Sequence, residues 1–234
     1  MDARDFNPSD YPRHSDSDHT ADPDGRRWFH IMCHTYGTWL YGDDRGFRTR
    51  RHREHVDGDY KNPPPRGKYD DKRDRSRKLL KQPPVCFAPT WRPVFGAALR
   101  DKLQTLSAQV LCVSLDSCHA HVLVKMPPGP VPRRWVGRAK KHSNFIGKEY
   151  GWTGKVWAVR CGVIPIKDRQ HQLNVYGYIK KHAREGAWVW TFLDGVIAGD
   201  VPVPARKIPE GPGTAVPGPS GVGSNPLGPS NGGC

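Results

Sequence analysis

Six cysteines are scattered along 234 residues, and none of them stands in a C-x-x-C pair. Zinc ribbons and thioredoxin-type sites both need closely spaced thiols, so both are excluded. No apolar run approaches the roughly 18 residues of a membrane span. The chain does not open on a signal-peptide pattern either; its first residues are acidic and polar. A cytoplasmic protein with no membrane span is expected. From Gly211 to Cys234 there is no charged side chain and almost nothing apolar, a composition with no core to offer. Acidic side chains are too few to balance the basic ones, and the net charge of +14 points to a polyanionic partner, nucleic acid or an acidic membrane surface.

What remains between the ends is enough for one domain, expected over residues 26–195. Residues 1–25, rich in aspartate, serine and proline, read as a disordered acidic tail, and residues 196–234 as a disordered Pro/Gly-rich tail. Trp28 to Thr35 is a strand candidate. Residues 45–84 form a long basic insertion without helical or strand period, suited to a phosphate-contacting arm or a solvated linker. Thr90 reads as an N-cap before a helix whose Phe95, Leu99, Leu103 and Leu106 recur at three- and four-residue spacing. Val110 to Leu115 and Cys118 to Met126 then predict an antiparallel hairpin turning at Asp116-Ser117. Pro132 to Ile146 is a basic amphipathic helix, with Trp135, Val136, Ala139 and Phe145 as its inward side. Residues 155–166 predict another strand, and Asp168 opens a last helix that stops at Gly186. After Ala187-Trp188-Val189-Trp190 the chain drifts into proline and glycine. The order β-α-β-β-α-β-α predicts an α+β fold. Its first six elements match a ferredoxin-like antiparallel sheet covered by two helices, and the final helix, which bears tyrosine, is additional.

The chemistry concentrates in Cys118-His119-Ala120-His121-Val122-Leu123-Val124. Strand alternation puts His119 and His121 on one face and Ala120, Val122 and Val124 on the other. Such a pair is either two half-buried histidines with satisfied hydrogen bonds or half of a divalent-metal site. In the last helix Tyr178 and His182 are four residues apart and share a face, so His182 could complete a three-ligand site. A metal there would act on a phosphodiester as a Lewis acid, and Tyr178 could attack phosphorus and hold the cut end covalently. Tyr176 points to the other side of the helix and reads as packing. The basic helix carries Arg133, Arg134, Arg138, Lys140 and Lys141 with Trp135 interleaved, which suits phosphate tracking beside a stacking platform.

The CHAHVLVKMP strand together with YGYIKKH resembles the single-tyrosine HUH endonucleases, and more narrowly the REP-associated tyrosine transposases and their insertion-sequence relatives. The segment YGTWLYGDDRG at residues 36–46 is similar to one common in that group. The resemblance covers about residues 27–190 and implies a transposase. In such an enzyme His119 and His121 are metal ligands, Tyr178 is the nucleophile, and Mg2+ or Mn2+ is the cofactor. It further implies single-stranded or hairpin DNA as substrate, a 5′-phosphotyrosine intermediate and compatibility with a homodimer. The chain departs from the pattern at the position four after the tyrosine, commonly Gln or Asn, which is His182 here. The competing expectation is a non-catalytic module that binds hairpin DNA or RNA through a decayed site.

Overall fold

A computed structural model describes residues 24–43, 45–47, 64–129 and 131–206. Most of the two expected tails and much of the basic insertion lie outside these residues, but the C-terminal tail expected from residue 196 is corrected at its start, where residues 195–198 form a strand paired with the one before it. Among the described residues the fold is α+β, with four α-helices and a six-stranded antiparallel sheet. The strands are β1 (Arg27–His34), β2 (Gln109–Leu115), β3 (His119–Met126), β4 (Gly162–Pro165), β5 (Trp188–Thr191) and β6 (Gly195–Ala198). The helices are α1 (Asp70–Lys78), α2 (Arg92–Thr105), α3 (Pro132–Glu149) and α4 (Arg169–Lys181). The strands lie in the order β4-β1-β3-β2-β5-β6.

The alternation of β3 divides the molecule into two unequal halves. Ala120, Val122, Val124 and Met126 face α2 and α3 and join Phe95, Leu99, Leu103, Trp135, Val136 and Ala139 in the main core. Leu123 points the other way and packs with Cys112, Ile166, Val175 and Ile179 beneath α4. Val175 and Ile179 are four apart, so one stripe of α4 seats it on the sheet. Burying an Ile179-sized side chain contributes roughly 1.5–3 kcal/mol to holding it there. Asp168 starts this helix as expected, its carboxylate accepting from the His171 backbone N–H at 2.7 Å. Past Lys181 the coil tightens into a 3-10 turn, His182–Glu185, which ends on Gly186 in the left-handed region at φ 79°.

Several expectations are corrected. The insertion holds a helix, α1, that buries no residue and so has no apolar period to read. Its charges do the organising: Asp70 and Asp71 sit in the first turn and Arg75, Arg77 and Lys78 in the last, as the helix dipole prefers. Thr90 does not cap α2; a 3-10 turn, Pro89–Trp91, leads into it. Phe145 is 58% exposed, outside the inward side of α3. The strand expected over 155–166 shortens to β4 plus a single bridge between Thr35 and Trp157. Trp188 to Thr191, which the sequence assigns to no strand, is β5, paired with β2 through Leu115↔Trp188 to Cys112↔Thr191. Its Trp188 is among the largest fully buried side chains.

Two helix glycines mark where the main core has no room. A Cβ on Gly96 of α2 would overlap the Trp188 indole, and one on Gly147 of α3 would overlap the Phe95 ring. Gly96→Ala and Gly147→Ala should therefore each destabilise the fold by about 1–3 kcal/mol, despite alanine's higher helix propensity. Gly137→Ala, where the added atom meets nothing within 4 Å, should not. Urea denaturation of the three variants checks the contrast.

Candidate functional site

The α4 face of the sheet carries the histidines. β1 runs antiparallel to β3 with His34 opposite His119, Met32 opposite His121 and His30 opposite Leu123. Opposed residues share a face, so four imidazoles from two adjacent strands project towards α4, and α4 with its terminal turn brings Tyr178 and His182 over them. The ring centroids of His119 and His121 are 4.8 Å apart, those of His121 and His182 4.9 Å, and those of His119 and His182 5.5 Å. One ligand atom from each of these three residues lies within 4.8 Å of the other two. The Tyr178 ring meets His121 edge-on at 5.2 Å and His182 at 4.9 Å. The structure thus brings together all four residues that the sequence singled out for chemistry.

Each imidazole of the cluster is held through its Nδ1. His119 Nδ1 donates to Asp116 at 2.7 Å, and the other oxygen of that carboxylate accepts from the backbone N–H groups of Cys118 and His119, both at 2.7 Å. One aspartate therefore closes the β2–β3 turn and fixes a ring. His182 Nδ1 pairs with Glu185, one turn on, at 3.1 Å. His121 Nδ1 pairs with Nε2 of His30 at 3.0 Å. With Nδ1 engaged, each would coordinate an ion through Nε2, the arrangement by which outer partners orient metal-binding histidines. Nε2 of His182 is buried and has no hydrogen-bond partner among the described residues. A buried nitrogen in that condition costs free energy unless something ligates it, so the residues fit a divalent ion.

Charge in the cluster is unevenly distributed. Burial, with smaller contributions from His171 and His182, lowers His30 to about 3, and burial together with the neighbouring imidazoles holds His121 well below the ordinary range. Burial also lowers His34 to about 4, with the charges of His119 and Arg45 adding to it. Burial opposes protonation of His119 as well, but there the Asp116 hydrogen bond, aided by Cys118, prevails and raises it to about 9. Asp116 shifts reciprocally: burial pushes its carboxyl up, and the bond to His119 more than offsets this and brings it down. The positive charge is therefore concentrated on His119, beside its carboxylate. Burial lowers His182, and the charge of His119 adds to this against the pull of Glu185.

The chain leaving β1 borders the site. Trp39 packs on His34 at 4.6 Å, Arg45 lies over the Trp39 ring at 4.7 Å, and Trp39 Nε1 donates to the Gly46 carbonyl at 2.6 Å. Gly42, at φ 93°, is needed where this segment passes α1, because a Cβ there would run into the backbone of Lys72 and Arg73. The expected nucleic-acid helix lies elsewhere. α3 covers the opposite face of the sheet from the histidines. Arg133, Arg134, Arg138 and Lys141 are exposed on it, but Trp135 is buried in the main core and offers no stacking platform. Lys140 is also buried, its ammonium donating to the carbonyls of Ala158, Val159 and Arg160. The expectation that both face solvent fails because a tryptophan and a lysine on a basic helix look alike in sequence whether they face in or out.

His30, Asp116 and Glu185 are the site residues that sequence reasoning missed. Signals existed for each: His30 and His34 are an even number of residues apart on a strand, as His119 and His121 are, and Asp116 and Glu185 stand three residues from His119 and His182. The first takes its meaning from the pairing of β1 with β3.

No family model matches the chain, and no curated protein matches it. A solved structure similar to it is that of a REP-associated tyrosine transposase bound to a REP hairpin, at a TM-score of 0.39 and 12% identity over 68% of each chain. At that level of likeness, function has to be argued from the residues. No helix among the described residues is long and apolar enough to cross a membrane.

His30 ties the site to acid stability. Its imidazole stays neutral in the fold until about pH 3 but would take a proton near 6.5 when unfolded. Between those values the unfolded chain binds more protons, so stability falls as the pH falls. His30→Phe should make the slope of unfolding free energy against pH shallower by close to one proton in this window. Urea titrations at stepped pH measure it, and an unchanged slope would place that proton elsewhere.

Proposed function

We propose that the chain is a metal-dependent DNA endonuclease and strand transferase of the single-tyrosine HUH type, a transposase acting on single-stranded or hairpin DNA. The observation that carries this reading is the placement of Tyr178 against a three-imidazole cluster whose members are each oriented through Nδ1. The strand order β4-β1-β3-β2 with α2 and α3 on one face supports assigning these six elements to a ferredoxin-like core.

His119, His121 and His182 would hold the ion, and Asp116, His30 and Glu185 would fix their rings. When bound, the ion supplies Lewis acidity towards a phosphate oxygen. Tyr178 supplies the covalent step. Its hydroxyl oxygen attacks phosphorus, the bond to the 3′ oxygen breaks, and a free 3′-hydroxyl leaves. The 5′-phosphate stays on the tyrosine. Attack on that linkage by a 3′-hydroxyl rejoins a strand without ATP, because the phosphotyrosine keeps the energy of the original diester. The exposed Arg133, Arg134, Arg138 and Lys141 on the far face of the sheet would contact backbone phosphates of DNA that reaches around the sheet edge. A homodimer could share such a substrate.

Among the candidate ions the donor set favours Mn2+ over Mg2+. Magnesium prefers oxygen ligands and retains water, whereas an all-nitrogen set suits transition ions. The histidine at 182, where relatives commonly carry an amide, moves the site in that direction.

Two expected outcomes follow from the geometry. Wild type incubated with 3′-labelled hairpin DNA and Mn2+ should form an adduct that survives denaturing electrophoresis. Tyr178→Phe should abolish it, Tyr176→Phe should retain it, and His182→Gln should shift the preference towards Mg2+. Adduct from Tyr178→Phe would sink the nucleophile assignment, and metal-independent DNA binding without adduct in wild type would favour the non-catalytic module.

The second outcome concerns protons. Because His119 is protonated below about pH 9, an incoming ion must displace that proton. Apparent Mn2+ affinity should therefore rise by about tenfold per pH unit from neutrality towards that value. Calorimetry in two buffers of different ionisation enthalpy should count about one proton released per ion bound.

A further inference from the structure

On the side of the sheet away from the histidines, two cysteines face each other. β1 and β4 pair antiparallel from Phe29↔Pro165 to Met32↔Gly162, and continuing this register by one residue past the last ladder pair brings Cys33 level with Cys161. Past this point the ladder slips, resuming at Thr35↔Trp157. The buried ammonium of Lys140 gathers the carbonyls of the intervening Ala158, Val159 and Arg160. The two thiols act on each other's titration, Cys33 being raised and Cys161 lowered. Directly opposed residues in an antiparallel pair have Cα atoms about 4.5–5.5 Å apart. A disulfide accepts Cα separations of about 4.4–6.8 Å, a range that includes a pair continuing this register by one residue.

We propose that Cys33 and Cys161 form a dithiol site that a peroxide oxidises to a cross-strand disulfide, with Cys161 the attacking sulfur and Cys33 the resolving one. Their surroundings divide the roles. Cys33 is 1% exposed at the core, whereas Cys161 is half-buried at the sheet edge. The neighbouring Cys33 thiol, with the charges of Lys140 and Arg133, overcomes burial and brings the Cys161 thiol down to about 7, while Cys33 is pushed up. The Cys161 thiolate attacks a peroxide oxygen and the O–O bond breaks. Hydroxide leaves and takes up the proton that the Cys161 thiol released on ionising, giving one water, and Cys161 becomes a sulfenic acid. The sulfur of Cys33 attacks the sulfenic sulfur, the S–O bond breaks, and the second water carries away the Cys33 proton. Two thiols have lost two electrons, and hydrogen peroxide has become two waters. Cys112, buried and raised to about 12 mainly by desolvation, is not suited to this chemistry.

The test uses the full chain and hydrogen peroxide near neutral pH, followed by alkylation, proteolysis and mass spectrometry without reduction. The expected product is a Cys33–Cys161 linked peptide, lighter by two hydrogens and cleaved by dithiothreitol. Before oxidation, Cys161 should alkylate about tenfold faster than the exposed Cys86. In Cys33→Ser, dimedone should capture a sulfenic acid on Cys161; in Cys161→Ser, no link should form. Oxidation confined to Cys86 or Cys234 in wild type, or alkylation of Cys161 no faster than that of Cys86, would overturn the proposal. The wild-type measurements stand whether or not either variant folds.

Discussion

Alternation along β3 is the constraint on which the rest of the molecule depends. A one-residue slip would turn Ala120, Val122 and Val124 out of the main core and drive His119 and His121 into it, so the apolar half of the strand fixes where the polar half must point. The core between the sheet and the α2–α3 layer is thus what holds the imidazoles in register. α4 then closes the other face with Val175 and Ile179 on Leu123, and the same helix carries Tyr178 to the edge of the cluster. Scaffold and site are two sides of one pleat.

Enclosing four imidazoles between a sheet and a helix creates an electrostatic problem, since the cavity is too dry for all of them to be charged. Burial settles His30 and His121 as neutral rings, and Asp116 confines the proton to His119. Neutral imidazoles are the form that binds metal, so the desolvation that would destabilise charged rings prepares the others as ligands. Asp116 has a double role, because its two oxygens serve the turn and the ring at once. Losing it would loosen the hairpin and leave His119 without its orienting partner.

The sequence made the positions of Tyr178, His119, His121 and His182 legible because each lies on a regular element whose period needs no tertiary information. The core residues of α2 and the start of α4 at Asp168 were legible for the same reason. What was not legible depended on neighbours. Ala187 to Trp190 is too short to show a period, and Trp188 belongs to a strand only through its pairing with Leu115. The charged α1 has no apolar stripe, so nothing periodic marks it. Trp135 and Lys140 on a basic helix suggested a nucleic-acid surface, but the partners that bury them, the main core and the carbonyls of residues 158–160, lie far away in sequence. His30 joined the site only through the β1–β3 register.

β1 links the two kinds of chemistry. Its alternate residues His30 and His34 face the cluster, while Cys33 between them faces the core beside Cys161. A covalent tie at Cys33 would restrain the strand at the point where His34 meets Trp39 and the segment that borders the site. It would act on the geometry of the approach rather than on the ligands, because His121 is paired with His30, three residues back along the strand. Oxidation at this position should therefore stiffen the rim and leave the Nδ1 partners of the cluster in place. A disulfide anywhere on β3 would instead compete with the pleat that sets the ligands.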